Sequence, residues 1–171
     1  PAPINRAPAV AQRPTGPWAK IATVSPRPVA IFAQGPVGLC ATAGARLMGA
    51  GLIIAVEGIP ARQEMAKRMG ADIVVEPSEA VSKIMQLTQN RGVDIAVEAL
   101  GHQATFENCC AVSRFGGTVS SVGVYGAFPT LTLPTTGSFL HRKIVTTLCP
   151  VGTERLNRLM KVVANGKVDL R

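Results

Sequence analysis

The chain has 171 residues, of which 47% are hydrophobic and 16% are charged, and this balance excludes an intrinsically disordered protein. Its formal net charge is +8, but the Lys and Arg residues are not clustered and only 4% of residues are aromatic, so we expect no nucleic-acid partner. The apolar stretch over residues 29–56 contains Arg46 and several glycines, which argues against a membrane span. No secretory leader is recognisable at Pro1, and we expect a cytoplasmic protein without membrane contact.

Residues 1–28 contain seven of the thirteen prolines and show no sustained hydrophobic period, so we predict an irregular, proline-rich N-terminal segment there. Regular structure is predicted from Val29 onward, which makes residues 29–171 one domain. Within this domain, short apolar runs alternate with segments of helical spacing. We predict strands at 29–34, 52–57, 72–75, 93–100, 117–124 and 143–149, and helices at 36–50, 60–70, 78–92, 104–114 and 153–166.

The alternation of strands and helices determines the expected fold class. Strands of four to eight mostly apolar residues are typical of parallel sheets that are buried on both faces, and parallel neighbours require crossover helices. Six such strands predict an α/β fold of the Rossmann type, a doubly wound six-stranded parallel sheet with helices on both faces. In sheets of this kind, ligands bind outside the carboxyl ends of the strands, so candidate site residues are expected there.

Two glycines lie where the first predicted strand turns into the first predicted helix. Gly35 permits the backbone to approach a pyrophosphate, and Gly38 permits the helix to pack close to the strand. The first glycine of the usual G-x-G-x-x-G pattern is replaced by Ala33. A tightly packed turn without a ligand is the alternative interpretation, but the strand-turn-helix context favours a phosphate site.

An acidic residue, Glu57, ends the second predicted strand, 22 residues after Gly35. A carboxylate at this place accepts hydrogen bonds from the adenosine ribose hydroxyls and repels a 2′-phosphate, so the sequence predicts a site for NAD rather than NADP. Further candidates lie at the ends of the fourth and fifth predicted strands, where they can border a nicotinamide, although plain packing at strand ends explains them equally well. These candidates are Leu100, Gly101, Val122 and Val124.

The cysteines and histidines show no metal-binding spacing. The four cysteines include no C-x-x-C pair, so buried free thiols in a reducing compartment are the favoured interpretation. We interpret His102 as a polar residue at a helix start and His141 as a surface residue. The sequence therefore predicts neither a catalytic residue nor a metal ligand in this chain.

Several segments resemble the coenzyme domain of zinc-dependent medium-chain alcohol dehydrogenases, and in particular the bacterial, NAD-using, secondary-alcohol type. They are VAIFAQGPVGL, IIAVEGIPARQEMAKRMGAD, GVDIAVEALG, FGGTVSSVGVYG and KIVTTLCPVGTERLNRLMKVVANGKVDL. The resemblance covers about residues 29–170 and implies an NAD-binding Rossmann domain.

The resemblance also implies roles for individual residues. Glu57 takes the place of the acid that binds the adenosine ribose, and Arg62 matches a basic residue that helps to hold the same ribose. Val122 and Val124 match positions that flank the nicotinamide. Coenzyme domains of this family pair through the sixth strand, so residues 143–149 are expected to join two copies into a homo-oligomer. The pyrophosphate turn corresponds to Gly35, Pro36, Val37 and Gly38.

Members of that family carry an N-terminal catalytic domain with the ligands of a catalytic zinc, and no such ligand motif occurs here, so zinc is expected only in the full-length family. The expected function is that of an NAD(H)-binding domain of an alcohol dehydrogenase, which by itself binds the cofactor with little or no turnover. A stand-alone NAD-binding regulatory module without catalysis is the alternative. A short-chain dehydrogenase is excluded, because Tyr125 is the sole tyrosine and Pro129 stands where its partner lysine is needed.

Overall fold

The computed structural model describes residues 27–126, 130–133, 142–148 and 152–168. Of the predicted N-terminal segment, residues 1–26 lie outside these ranges, and Pro28 already belongs to the first strand. The strands within the described ranges are β1 (Pro28–Phe32), β2 (Leu52–Val56), β3 (Ile73–Val75), β4 (Val93–Glu98), β5 (Ser113–Ser121) and β6 (Lys143–Thr146). The α-helices there are α1 (Pro36–Leu47), α2 (Pro60–Arg68), α3 (Ala80–Leu87), α4 (Gln103–Val112) and α5 (Thr153–Ala164), and a 3-10 turn at Pro77–Glu79 precedes α3.

The described strands form one parallel sheet in the order β3-β2-β1-β4-β5-β6. The direction of strand addition reverses between β1 and β4, which is where doubly wound sheets place their ligand crevice. Phe32, the last residue of β1, lies beside Val56 on β2 and Glu98 on β4, so these three strands end at the same level. The predicted doubly wound parallel sheet is confirmed.

Helices cover both faces of the sheet. Every residue of β1 and β2 is buried, which explains their unbroken apolar sequences. Alternate side chains of β1 enter two separate cores: Ala30 and Phe32 pack with α3 and α4, whereas Val29 and Ile31 pack with α1 and α2. The two-sided cover that the sequence predicts is therefore present.

The helices are shorter than the sequence indicates. The predicted helix 78–92 becomes the 3-10 turn and the eight-residue α3, because Gln89 and Asn90 have φ values of 54° and 60°, which no α-helix can contain. The longest described helices, α1 and α5, have 12 residues each. None of the described helices combines the length and the apolar character that crossing a bilayer requires.

The fifth strand is displaced from its predicted range of 117–124. It begins at Ser113, which pairs with Val93, and its register against β4 shifts before Ile95. It ends at Ser121, because the N–H groups of Val122 and Gly123 both donate to the backbone oxygen of Glu98, at 2.8 and 3.1 Å. The chain therefore leaves the strand direction and turns across the end of β4.

Among the described strands, β6 lies at one edge of the sheet. It ends at Thr146, three residues earlier than predicted, and Cys149 lies outside the described residues. Val145 in this strand is 44% exposed, and Leu148, two residues after it, is 80% exposed. An exposed apolar edge strand is a template for pairing with another strand.

Candidate functional site

The turn between β1 and α1 has the form that the glycine pattern predicts. Gly35 is the N-cap of α1, Pro36 follows at the first helical turn, and this turn contains no acidic side chain. The first N–H groups of a helix have no intrahelical partners and carry the positive end of the helix dipole, so they favour an anion. A Cβ on Gly35 would meet no atom within 4 Å, and Val37 is half exposed, so open space adjoins the turn.

Gly38 is required by packing. A Cβ at this position would lie 1.8 Å from the backbone oxygen of Ala33. Ala33 itself has a φ of 71°, in the left-handed region that favours glycine, and its N–H donates to the backbone oxygen of Val56 at 3.0 Å. Ala33 thus adopts the conformation of the glycine that it replaces in the sequence pattern, at a cost of about 1 kcal/mol.

The carboxylate of Glu57 is held at the end of β2. Its Oε1 accepts hydrogen bonds from the N–H groups of Gly58 at 2.9 Å and Ile59 at 3.0 Å, and its Oε2 accepts one from the N–H of Gln34 at 2.8 Å. Nη1 of Arg62 lies 3.9 Å from Oε2. These contacts fix the carboxylate between the end of β1 and the start of α2. A carboxylate has about four acceptor sites, so capacity for a hydroxyl donor remains.

A buried glutamine supports this arrangement, and sequence reasoning missed it. Gln34 is 0% exposed; its Nε2 donates to the backbone oxygen of Ile31 at 3.2 Å, and its Oε1 accepts a hydrogen bond from Oγ1 of Thr42 at 2.8 Å. The side chain therefore ties the end of β1 to the middle of α1. A polar residue inside an apolar strand-turn-helix segment was the available signal.

A cleft of about 180 Å³ opens at the carboxyl ends of the strands. It brings together three predicted site residues from different parts of the chain, Glu57, Arg62 and Leu100. The cleft joins the end of the β1–β2 side of the sheet to the first turns of α4. Its remaining lining residues are Phe32, Ala33, Val56, Pro77, Thr105 and Asn108.

The segments that follow β4 and β5 pack backbone against backbone. Gly101 has a φ of 85°, and a Cβ there would lie 2.2 Å from the backbone oxygen of Val124. A Cβ on Gly123 would lie 2.2 Å from the backbone nitrogen of Gly101. Val122 is partly buried, whereas Val124 is 70% exposed and available to a ligand. The structure therefore brings together Gly101, Val122 and Val124, and adds Gly123, which the sequence analysis had not singled out.

The remaining candidate side chains have structural explanations. His102 is the N-cap of α4, and its Nδ1 accepts a hydrogen bond from the N–H of Ala104 at 3.2 Å, so the predicted helix-start role is confirmed. His141 lies outside the described residues. Burial, with a contribution from the Glu98 carboxylate, raises the pKa of the Cys109 thiol well above its usual range. Among the described residues, no three His, Cys, Asp or Glu side chains converge in an arrangement that fits zinc.

Comparison with known proteins identifies the family. A family model described as "Zinc-binding dehydrogenase" matches residues 36–165. An alcohol dehydrogenase from Cupriavidus necator is 52% identical over 145 residues, which cover 83% of this chain and 40% of that protein. The NADP-dependent isopropanol dehydrogenase of Thermoanaerobacter brockii is 38% identical over 146 residues, which cover 82% of this chain and 42% of that protein.

Solved structures agree with these relatives. An alcohol dehydrogenase from Thermus sp. ATN1 matches with a TM-score of 0.75 and 30% sequence identity, covering 84% of this chain and 41% of that chain. This chain therefore spans about two-fifths of the length of the relatives that it matches. The family that its segments resemble is confirmed, and the chain belongs to the zinc-binding dehydrogenases.

Proposed function

We propose that this domain binds NAD(H) and forms the coenzyme half of an alcohol dehydrogenase that transfers hydride between a secondary alcohol and NAD. The carboxylate of Glu57 carries this proposal, because it is fixed at the end of β2 beside Arg62 and shares a cleft with Ala33 of the glycine turn. An acid at this place accepts hydrogen bonds from the ribose hydroxyls of a dinucleotide.

The dinucleotide is proposed to lie across the carboxyl ends of the central strands. Its adenosine ribose contacts Glu57 and Arg62, which line one cleft. The nicotinamide half is assigned to the ends of β4 and β5, with Leu100, Gly101, Val122 and Val124. The pyrophosphate is assigned to the turn formed by Gly35, Pro36, Val37 and Gly38.

Hydride transfer needs more than these residues supply. NAD, when bound, accepts the hydride, and this domain binds and orients it. Since the described residues do not fit zinc, no step through a metal is assigned to this chain, and alcohol oxidation is proposed only for the longer type of protein that it resembles. Little or no turnover by the chain alone remains our proposal. The free thiols of Cys40, Cys109 and Cys110 support the expected cytoplasmic location.

We expect the chain to bind NADH about tenfold more tightly than NADPH, because the negative charge of Glu57 opposes a 2′-phosphate. Glu57→Gln keeps the size of the side chain and one acceptor oxygen but removes the charge. The affinity for NADPH should therefore rise, and the preference for NADH over NADPH should become smaller. Calorimetric titration of both chains with NADH and NADPH measures the effect.

Glu64→Gln is the matched control for this experiment. Glu64 lies on the same helix as Arg62, is exposed, and pairs with Lys67 rather than with the cleft. The control should therefore keep the wild-type preference. Equal affinity of the wild-type chain for NADH and NADPH would show that Glu57 does not face the ribose, and a failure to bind either would refute the proposed function.

We further propose that two copies of the chain pair through the exposed edge of β6. The side chains of Val145 in β6 and of Leu148, two residues after the strand, are exposed to solvent, and pairing with a second β6 is proposed to cover them. Val145→Lys places a charge in the proposed interface between the two β6 strands, so we expect it to convert the dimer into a monomer. Light scattering coupled to size exclusion measures the mass, and a monomeric wild-type chain would contradict the pairing.

A further inference from the structure

A buried carboxylate, Glu98, lies where the segments after β4 and β5 meet. Its residue is 0% exposed, and it ends β4 next to Phe32 of β1. We propose that Glu98 is a positioning residue, which holds these two segments in the arrangement that receives the nicotinamide half of the dinucleotide. The inference rests on the proposed function, because it concerns the same site.

The first oxygen of this carboxylate organises the segment that follows β4. Oε1 accepts hydrogen bonds from the N–H groups of Leu100 at 2.9 Å and Gly101 at 2.8 Å, and Oγ1 of Thr105 lies 2.7 Å from it. These three donors span the whole connection from the end of β4 to the first turn of α4. The oxygen therefore fixes the backbone that carries Gly101.

The second oxygen organises the segment that follows β5. Oε2 accepts a hydrogen bond from the hydroxyl of Tyr125 at 2.9 Å, and Oγ of Ser121 lies 3.4 Å away. The hydroxyls of Ser121 and Tyr125 are also 2.8 Å apart, so they form one connected group with the carboxylate. The backbone oxygen of Glu98 adds hydrogen bonds from the N–H groups of Val122 and Gly123.

The segments that follow β4 and β5 are packed too closely for either one to move relative to the other. A Cβ on Gly123 would lie 2.5 Å from Oε2 of Glu98 and 2.2 Å from the backbone nitrogen of Gly101. The carboxylate therefore fills a slot between two backbones that are in direct contact. A movement of either segment breaks hydrogen bonds to the same side chain, so the positions of Gly101 and Val124 are coupled through Glu98.

Packing of β4 against its neighbouring strands does not require a carboxylate at position 98. Val56 flanks Phe32 on its other side at the same level as Glu98, and an apolar side chain satisfies the core at that position. Burying a carboxylate is costly unless its hydrogen bonds are complete. Each of the two oxygens of Glu98 has hydrogen-bond partners, and the partners all belong to the ends of β4 and β5 or to the start of α4. The side chain thus serves those segments rather than the core.

The test compares two ligands that differ only by the nicotinamide, NADH and ADP-ribose. Glu98→Leu removes both acceptor oxygens, and we expect it to weaken NADH binding about tenfold while ADP-ribose binding stays within about twofold. Glu98→Gln keeps one acceptor for Leu100 and Gly101 and presents an amide donor to the oxygen of Tyr125, so it should restore NADH binding to within about threefold of wild type.

Tyr125→Phe removes a single donor to Oε2 and keeps the carboxylate that accepts from Leu100 and Gly101. It is therefore the second test variant, to be used if Glu98→Leu does not fold. We expect a selective loss of NADH affinity of about threefold. Amide hydrogen exchange at Leu100 and Gly101 is measured on the same proteins, and faster exchange is expected in Glu98→Leu and not in Glu98→Gln.

The outcomes distinguish a failure of the positioning role of Glu98 from a failure of the proposed NAD(H)-binding function. A selective loss of NADH binding together with rescue by Glu98→Gln supports the positioning role. Equal losses for NADH and ADP-ribose, or unchanged NADH binding in folded Glu98→Leu and in Tyr125→Phe, overturn it while leaving the proposed function intact. A wild-type chain that binds neither ligand overturns the proposed function and the positioning role with it.

Discussion

Gly38→Ala is expected to lower the free energy of unfolding by about 3 kcal/mol, because the overpacking it causes is against backbone and cannot be relieved by a side-chain rotation. The new Cβ would lie 1.8 Å from the oxygen and 2.9 Å from the carbonyl carbon of Ala33. Helix α1 must then move away from β1 and open the core that contains Val29 and Ile31. The higher helix propensity of alanine, about 1 kcal/mol, offsets only part of this loss. Urea unfolding followed by circular dichroism measures the difference.

Gly35→Ala is the matched control, three residues away in the same turn. A Cβ on Gly35 meets no protein atom within 4 Å, and Gly35 has a φ of −69°, which alanine adopts readily. We therefore expect its stability to stay within about 1 kcal/mol of wild type. NADH affinity should nevertheless fall about tenfold, because the proposed pyrophosphate approaches the backbone here. Equal stability losses in the two variants would contradict the packing role of Gly38.

The parts of this fold that the sequence predicts are those determined by local pattern. Unbroken apolar runs mark β1 and β2 because both faces of these strands are buried. The place of Glu57 follows from the same pattern, since it is the first charged residue after β2. Gly38 is also predictable, because a strand that turns directly into a helix brings the two backbones together.

The parts that the sequence does not predict depend on contacts between distant residues. Glu98 lies within a predicted strand, but its role depends on Tyr125, which lies 27 residues later. The early end of β5 also depends on a contact between distant residues. The backbone oxygen of Glu98 accepts hydrogen bonds from the next two N–H groups, those of Val122 and Gly123. Leu100 illustrates a third limit: its place in the sequence does not reveal that it lines the cleft of Glu57.

Ala33 shows how a departure from a sequence pattern is accommodated. The pattern expects glycine, and the backbone conformation at Ala33, with a φ of 71°, is the one that glycine adopts easily. Alanine adds only a methyl group in place of the glycine hydrogen, which is the smallest possible increase in side-chain size. The turn therefore keeps its geometry, and the sequence alone did not distinguish this from a turn with a different shape.

Tyr125 is expected to hold its phenolic proton to unusually high pH. Its burial and, with it, the neighbouring Glu98 carboxylate raise the pKa of Tyr125 from 10.0 to about 12, although a hydrogen bond with Ser121 acts in the opposite direction. Tyr125 is the sole tyrosine of the chain, so the ultraviolet absorbance of phenolate reports this group alone. Glu98→Gln removes the nearby negative charge and should move the midpoint of the titration back toward 10.0.

The shift also predicts how stability depends on pH. Because the pKa of Tyr125 is higher in the folded chain, the unfolded chain loses this proton first as the pH rises. The stability associated with the proton is complete below about pH 10 and is lost as the pH rises through about 12. Tyr125→Phe has no such proton, so the wild-type chain should lose stability relative to this variant across that window.

Urea unfolding of wild type and Tyr125→Phe at stepped pH values measures this difference, and the variant corrects for every other group that titrates in the same range. A constant difference between about pH 9 and about pH 12 would mean that folding does not raise the pKa of the phenol. Burial of the phenol is unchanged in Glu98→Gln, so the part of the pKa shift that this variant removes tests, without any ligand, whether Tyr125 contacts Glu98.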